Sequence, residues 1–371
     1  MKKIFYGLTV CSVLCAGALC VAAPPDENRD AESVERLQRI EIQKFYRNLS
    51  GKAPMLPMAI SFYNDAVKFF EKNEYELAKQ AAQESLSLES RNPLALELLG
   101  EIANLQQDHH DAEEYFKKSF SLNPSPRLRK KIEKLQQERV IEKDLGTYGE
   151  EHFIIKYRKG DEGYEGSELQ QLLREGYRQI SQDMGYYFNH KIVVLFYDRD
   201  QFHDATGQSG WVGGLYDGKI RLPSYQGNEI NIDLRAALIH EMTHAFVAAM
   251  SGMRAPAWLH EGLAQYEENK IRPIDLRVFN VTAKKGALIP LEQLFSVKAP
   301  AEAEDPLEAV RFYQQSFKFV DYLIGRYQMY RVKTLLEKFK EGKNAEEALA
   351  EVLGRTPKHL EAEWLDTLSG S

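Results

Sequence analysis

Residues 239–247 read IHEMTHAFV, and the way this stretch folds decides how the rest of the chain is read. With Leu234, Ala237, Leu238, Phe246 and Val247 around it, the segment predicts a buried helix. On a helix, His240 and His244 stand one turn apart on one face, so both imidazoles reach a single ion. Two buried histidines without partners would be costly, which favours a shared ligand over simple packing. Glu241 is rotated by about 100° from His240 and so reaches a ligand-bound water rather than the ion itself. Catalytic zinc takes three protein ligands and keeps a fourth position for water, whose pKa drops to about 7.

The third ligand must come from elsewhere. Past the Ser251-Gly252 break and Pro256 comes AWLHEGLAQYEE, residues 257–268. It predicts a second helix from about Ala257 that returns antiparallel to the first. Glu261 is the natural third ligand, and the adjacent His260 is its rival. Gly262 and Ala264 are small enough to let the two helices pack closely. Gln265, one turn beyond Glu261, has the spacing of a supporting partner, while Tyr266, Glu267 and Glu268 suit a solvated face equally well. Trp258 reads as a packing residue at the helix start.

HEMTH followed by PAWLHEGLAQYEE resembles the gluzincin metallopeptidases, in particular the peptidase MA-like group with its HExxH and WLxEGLA segments. The likeness runs from about Gly146 to the carboxyl terminus. It implies zinc held by His240, His244 and Glu261, with Glu241 as general base and then proton donor. It also implies an oxyanion donor, for which Tyr313 in RFYQQSF has the look of tyrosines used by some relatives; packing is the alternative for Tyr313. His203, read in a loop before the hairpin, is a weaker candidate. The metzincin pattern HExxHxxGxxH does not fit, because its third ligand would fall on Met250.

Working outward, the amino terminus reads MKKIFYGLTVCSVLCAGALCVAA. Lys2 and Lys3, a short apolar run and small residues before Pro24 have the layout of a signal peptide cleaved near Ala22. An uncleaved anchor is the alternative. The three cysteines, Cys11, Cys15 and Cys20, all lie in this segment, so a mature chain would have no disulfide and no thiolate site. No later segment is apolar enough to span a membrane. The net charge of −7 gives no support for nucleic-acid binding.

Between residues 59 and 126 the pattern repeats. Phe62, Ala66, Phe69, Ala78 and Ala82 recur, 34 positions later, as Leu96, Gly100, Ala103, Ala112 and Phe116. NEY and DHHD mark the turns, and His109 and His110 are read there as solvated. The period and the small residues resemble tetratricopeptide repeats, which implies a surface for a protein partner or for the neighbouring domain. The basic helix from Arg127 to Lys143 is a candidate cap. HFIIKY and KIVVLFYD then read as strands flanking an amphipathic helix. Asp217-Gly218 marks a hairpin whose strands offer an edge to an extended peptide. Past Leu291 the chain reads as helix.

The expectation is a predominantly helical α+β protein: a signal peptide over 1–22, a helix and linker over 23–55, and repeats with a cap over 56–145. A zinc peptidase domain over 146–290 and a helical block over 291–371 follow. The function read is an exported zinc metallopeptidase, periplasmic or secreted, that binds one Zn2+ per chain and a peptide or protein substrate, with a possible protein partner on the repeats. Two alternatives stand beside it. One is a repeat-based interaction protein with an inactive zinc domain, and the other is a zinc amidase acting on a cell-wall amide. A peptide-trimming aminopeptidase is a further possibility, although no amine-binding GxMEN segment is present.

Overall fold

A computed structural model describes residues 56–158, 167–206, 213–224, 231–297 and 306–369. The signal peptide and the 23–55 helix and linker therefore lie outside the described residues. The first described elements are two helical hairpins, α1 (Leu56–Glu71) with α2 (Tyr75–Leu88) and α3 (Pro93–Leu105) with α4 (His109–Leu122). Their small residues lie where expected: Ala66, Ala78, Ala82 and Ala112 are fully buried. At Gly100 a Cβ would lie 2.5 Å from the Phe116 ring, so the second hairpin needs glycine to close. The basic helix α5 (Pro126–Ile141) starts at Ser125, whose hydroxyl accepts from Leu128 N.

The sheet follows: β1 (Leu145–Gly149), β2 (Phe153–Arg158), α6 (Ser167–Met184), β3 (Ile192–Tyr197), α7 (Arg199–Thr206), β4 (Leu215–Tyr216) and β5 (Ile220–Pro223). Strand order is β1-β2-β3-β5-β4, with the inner β2–β3 and β3–β5 pairs parallel and the outer pairs antiparallel. Every residue of central β3 is buried, which accounts for its unbroken apolar run. The β4–β5 hairpin turns at Asp217-Gly218 and leaves β4 at the edge among the described strands. β1 was not anticipated: LGTYG has no apolar alternation, and only Leu145 in it is buried.

Two helices build the site, α8 (Ile232–Ser251) and α9 (Ala257–Asn269). Asn231 caps α8 by accepting from Leu234 N at 2.9 Å. α8 is apolar on nearly all sides because it is enclosed by the sheet, α9 and later helices. Then come α10 (Arg277–Lys284), α11 (Leu291–Ser296), α12 (Pro306–Tyr327), α13 (Met329–Lys340), α14 (Ala345–Leu353) and α15 (Pro357–Ser369). A single apolar core extends from Phe153 to Trp364, so these helices share the interior of the metal-site helices. Trp258 is fully buried against Phe295 and Phe319. The tight contact at Gly262 differs from expectation. A Cβ there would overlap Val320 and lie 2.6 Å from the Ser316 carbonyl, so its close partner is α12 rather than α8.

The hairpins join the sheet through buried charge. Arg221 of β5 donates to Glu138 Oε1 at 2.6 Å and to Tyr197 Oη at 2.7 Å, and Lys219 donates to Glu138 Oε2 at 2.9 Å. Lys156 of β2 donates to Glu142 Oε2 at 2.7 Å. His109 is not solvated: its Nε2 lies 3.2 Å from both Glu142 and Lys156, while His110 is the exposed member of the pair. Burial opposes the charge of Glu142, but the His109 hydrogen bond and the Lys219 and Lys156 charges hold its pKa down at about 2. Among the described residues no helix is long and apolar enough to cross a membrane.

Candidate metal centre

His240 and His244 lie one turn apart on α8, with ring centroids 4.8 Å apart. Glu261 of α9 approaches both: its Oε2 is 3.6 Å from His240 Nε2 and 3.7 Å from His244 Nε2. Because His244 faces Glu261 while His240 also reaches Glu268, α9 runs antiparallel to α8 across the site. One donor atom from each of His240, His244 and Glu261 lies within 4.8 Å of the others, and all three residues are buried.

The donor set fits zinc. Bonds of about 2.1 Å in a tetrahedron separate neighbouring donors by roughly 3.4 Å, close to the two contacts seen. No hydrogen bond reaches His240 Nε2 or either ring nitrogen of His244 among the described residues. Buried imidazole nitrogens rarely stay in that condition unless something outside the chain completes them.

The orienting partner is Glu268. Its Oε2 lies 2.8 Å from His240 Nδ1, and its Oε1 accepts from Arg272 at 2.7 Å. Arg272 in turn donates to Asp233 at 2.6 Å, tying the end of α9 to the first turn of α8. A proton on Nδ1 shared with Glu268 leaves Nε2 as the donor toward Glu261 and an ion. The solvated-face reading of Glu267 and Glu268 is therefore corrected, since both are buried. The available signal was spacing: Glu268 follows Glu261 by seven residues, two turns along the same face.

The site gathers negative charge. Burial opposes a charged His240, but Glu261 and Glu268 outweigh it and push its pKa up to about 10. A proton on His240 and a divalent cation are thus alternative ways of balancing these carboxylates. Burial, then the nearby His240 and His260, depresses the pKa of His244. Glu241 is fully buried on the next face of α8. Gly214, just before β4, packs onto it so closely that a Cβ would lie 2.7 Å from Glu241 Cγ.

The other candidates are placed as follows. His260 lies beside the site with its ring 5.6 Å from that of His244, but Glu261, not His260, joins the donor group. Burial takes the pKa of His260 down to about 4. Gln265 is buried one turn beyond Glu261. Tyr313 of α12 is buried in the main core, one turn before Ser316, whose carbonyl abuts Gly262. His203 lies in α7 rather than in a loop, is exposed, and is not part of the donor group.

An HExxH helix and an antiparallel helix bearing a buried glutamate, packed on a small mixed sheet, define a zinc metallopeptidase domain of the gluzincin kind. Residues 174–370, more than half of the chain, match the family model of the Peptidase MA superfamily, and the chain belongs to that family. A stretch of 82 residues, 22% of the chain, is 29% identical to the human RANBP2-like and GRIP domain-containing protein 2. The match covers 5% of that relative's length.

Proposed function

We propose that the protein hydrolyses peptide bonds, with zinc held by His240, His244 and Glu261 and with Glu241 as general base. The observation that carries this reading is the convergence of three buried donor atoms within 4.8 Å, beside a fully buried glutamate on the same helix. Zinc bound there supplies Lewis-acid polarisation of the scissile carbonyl and lowers the pKa of the attacking water.

The chain's own residues supply the rest. Glu241, one position beyond His240, takes the proton from the attacking water and delivers it to the leaving nitrogen. Glu268 fixes the His240 ring so that Nε2 faces the donor group. The edge strand β4 binds the substrate main chain and brings it past Gly214 onto Glu241. Tyr313 donates to the developing oxyanion, and its place one turn from the Gly262 contact supports that role.

The basic, apolar and small-residue order of residues 1–23 supports export, with cleavage near Ala22. Amino-terminal sequencing of the purified protein tests this, since a chain that still begins at Met1 refutes cleavage. The offset small residues of the hairpins support a tetratricopeptide-like module.

The decisive experiment for the chemistry is Glu241→Gln, assayed for peptide hydrolysis and for zinc content. Turnover should fall by at least about 10²-fold with zinc retained. Substantial turnover in this variant would refute the assigned role.

A further inference from the structure

The turn of the first hairpin and the metal-site helix enclose a cavity of about 320 Å³. Phe70 and Tyr75 of the hairpin face Phe188 and Tyr216 across it. Its wall on the other side is α8 itself, through Ala245, Ala248 and Ala249. The size lies at the lower end of what ligand pockets span, roughly 300–1,000 Å³, and suits one large side chain with room around it.

The cavity lies on the same side of α8 as Glu241. Glu241, Ala245, Ala248 and Gly252 follow one another at helical spacing, so they form one stripe. Beside that stripe runs β4. Gly214 packs on Glu241, and Tyr216, two residues on and pointing to the same side of the sheet, lines the cavity with Ala245. Two strand residues advance about 6.6 Å and four helix residues about 6 Å, so strand edge and helix stripe keep pace from the base to the cavity. An extended chain lying on β4 with its scissile bond at Glu241 therefore passes the cavity mouth two or three residues later.

The rim carries charge. Lys191, Arg254 and Lys340 border the cavity against a single carboxylate, Glu71. Arg254 donates to the Lys340 carbonyl, and neither Lys191 nor Lys340 has an ion-pair partner among the described residues. In a chain whose net charge is −7, this local excess of cations selects for an acidic group.

The geometry points to a specificity pocket shared by the two modules. A peptide on the β4 edge places a large apolar side chain, two or three residues from the cleaved bond, between the first hairpin and α8. It then sets an acidic side chain against Lys191, Arg254 and Lys340. This inference rests on the peptidase reading for the position of the scissile bond, and it gives the helical hairpins a direct share in substrate choice. The hairpin turn is anchored for that purpose: Tyr75 donates to Asn73, Asn73 donates to Tyr186, and the Tyr75 ring packs edge-on against His190.

The test uses the full chain and end-blocked octapeptides in an alanine background. One carries Phe-Ala-Glu, so that Phe and Glu point to the same side of an extended chain, a second replaces Phe with Ala, and a third replaces Glu with Gln. Binding is measured to the Glu241→Gln protein, and cleavage by the wild type is measured in parallel. The Phe-Ala-Glu peptide should bind about tenfold or more tighter than the Phe→Ala peptide. Ala249→Leu, at a half-exposed cavity position, should abolish that preference. Lys340→Glu should remove the Glu-over-Gln preference.

Equal affinities for the Phe and Ala peptides would overturn the proposal, as would a preference that survives both substitutions. Because affinity is read without turnover, loss of hydrolysis alone condemns the peptidase reading and leaves the pocket tested. Zinc content and circular dichroism show that each variant is folded, and the two substitutions lie on different helices.

Discussion

The buried charged side chains at the hairpin–sheet joint and those at the metal centre meet the cost of burial in opposite ways. At the joint between hairpins and sheet, Glu138, Glu142 and Asp217 are matched by the buried Lys156, Lys219 and Arg221, with Lys134 reaching Asp217 from the surface. Each carboxylate accepts hydrogen bonds from cations of that set. At the metal centre, His240 Nε2 and both His244 nitrogens receive no hydrogen bond among the described residues, although they are as deeply buried. A buried polar group without a partner costs free energy, so a folded chain tolerates it where something outside the chain completes the set. The first group holds the modules together, and the second is built for an ion.

The strongest way to break this comparison is to remove the ligands. His240→Ala combined with His244→Ala should take zinc from about one per chain to none and abolish hydrolysis, as read by metal analysis and peptide assay. The counterpart Arg221→Met should keep its zinc and its turnover per folded molecule. Loss of zinc from Arg221→Met would show that the two groups are one system.

Stability should respond in the reverse sense. Arg221→Met leaves Glu138 and Asp217 buried without their guanidinium, which should cost about 3–5 kcal/mol in urea unfolding of the zinc-loaded protein. A loss below about 1 kcal/mol would mean that the joint is wet and the pairs are screened.

Between these extremes stands Glu268, which belongs to the metal centre yet is itself fully partnered. Glu268→Gln keeps the shape and removes the charge that orients His240. Zinc affinity should weaken about 10–100-fold, measured by competition with a chelator. An unchanged affinity would reduce Glu268 to a link in the Arg272–Asp233 chain.

What the sequence disclosed follows the range of each interaction. His240, Glu241 and His244 were legible because one helical period fixes their relation, and Glu261 because a break and a second helix follow within a few residues. The hairpins were legible from small residues that recur at a constant offset. The saturated group was not: Glu138 and Arg221 are 83 positions apart, and nothing local marks either as buried. His109 was misread for the same reason, since its partners Glu142 and Lys156 come from other elements. Gly262 was recognised as a close-approach residue and assigned to the wrong neighbour, because Ser316 and Val320 lie more than 50 positions on. Glu268 stands apart, because its two-turn spacing from Glu261 was visible but equally compatible with solvent.

The smallest expected effect concerns His190, at the edge of the cavity and between the modules. It packs against Tyr75 and Phe188, and its Nδ1 lies 3.1 Å from Asn189 Oδ1. Burial lowers its pKa from 6.5 to about 4, so the folded protein resists a proton that the unfolded chain accepts. A depressed folded-state pKa contributes stability that is complete above about pH 6.5 and is lost as the pH falls toward 4. His190 is partly exposed, which reduces the loss to roughly 1–2 kcal/mol. His244 and His260 also have depressed pKa values, so the informative quantity is the difference between wild type and His190→Phe in urea unfolding from pH 7.5 to 4.5. The two stability curves should converge by that amount as the pH falls, because the Phe variant has no imidazole to protonate there. Parallel curves would show that water reaches the ring in the folded state, and that the joint beside the cavity is looser than the saturated group behind it.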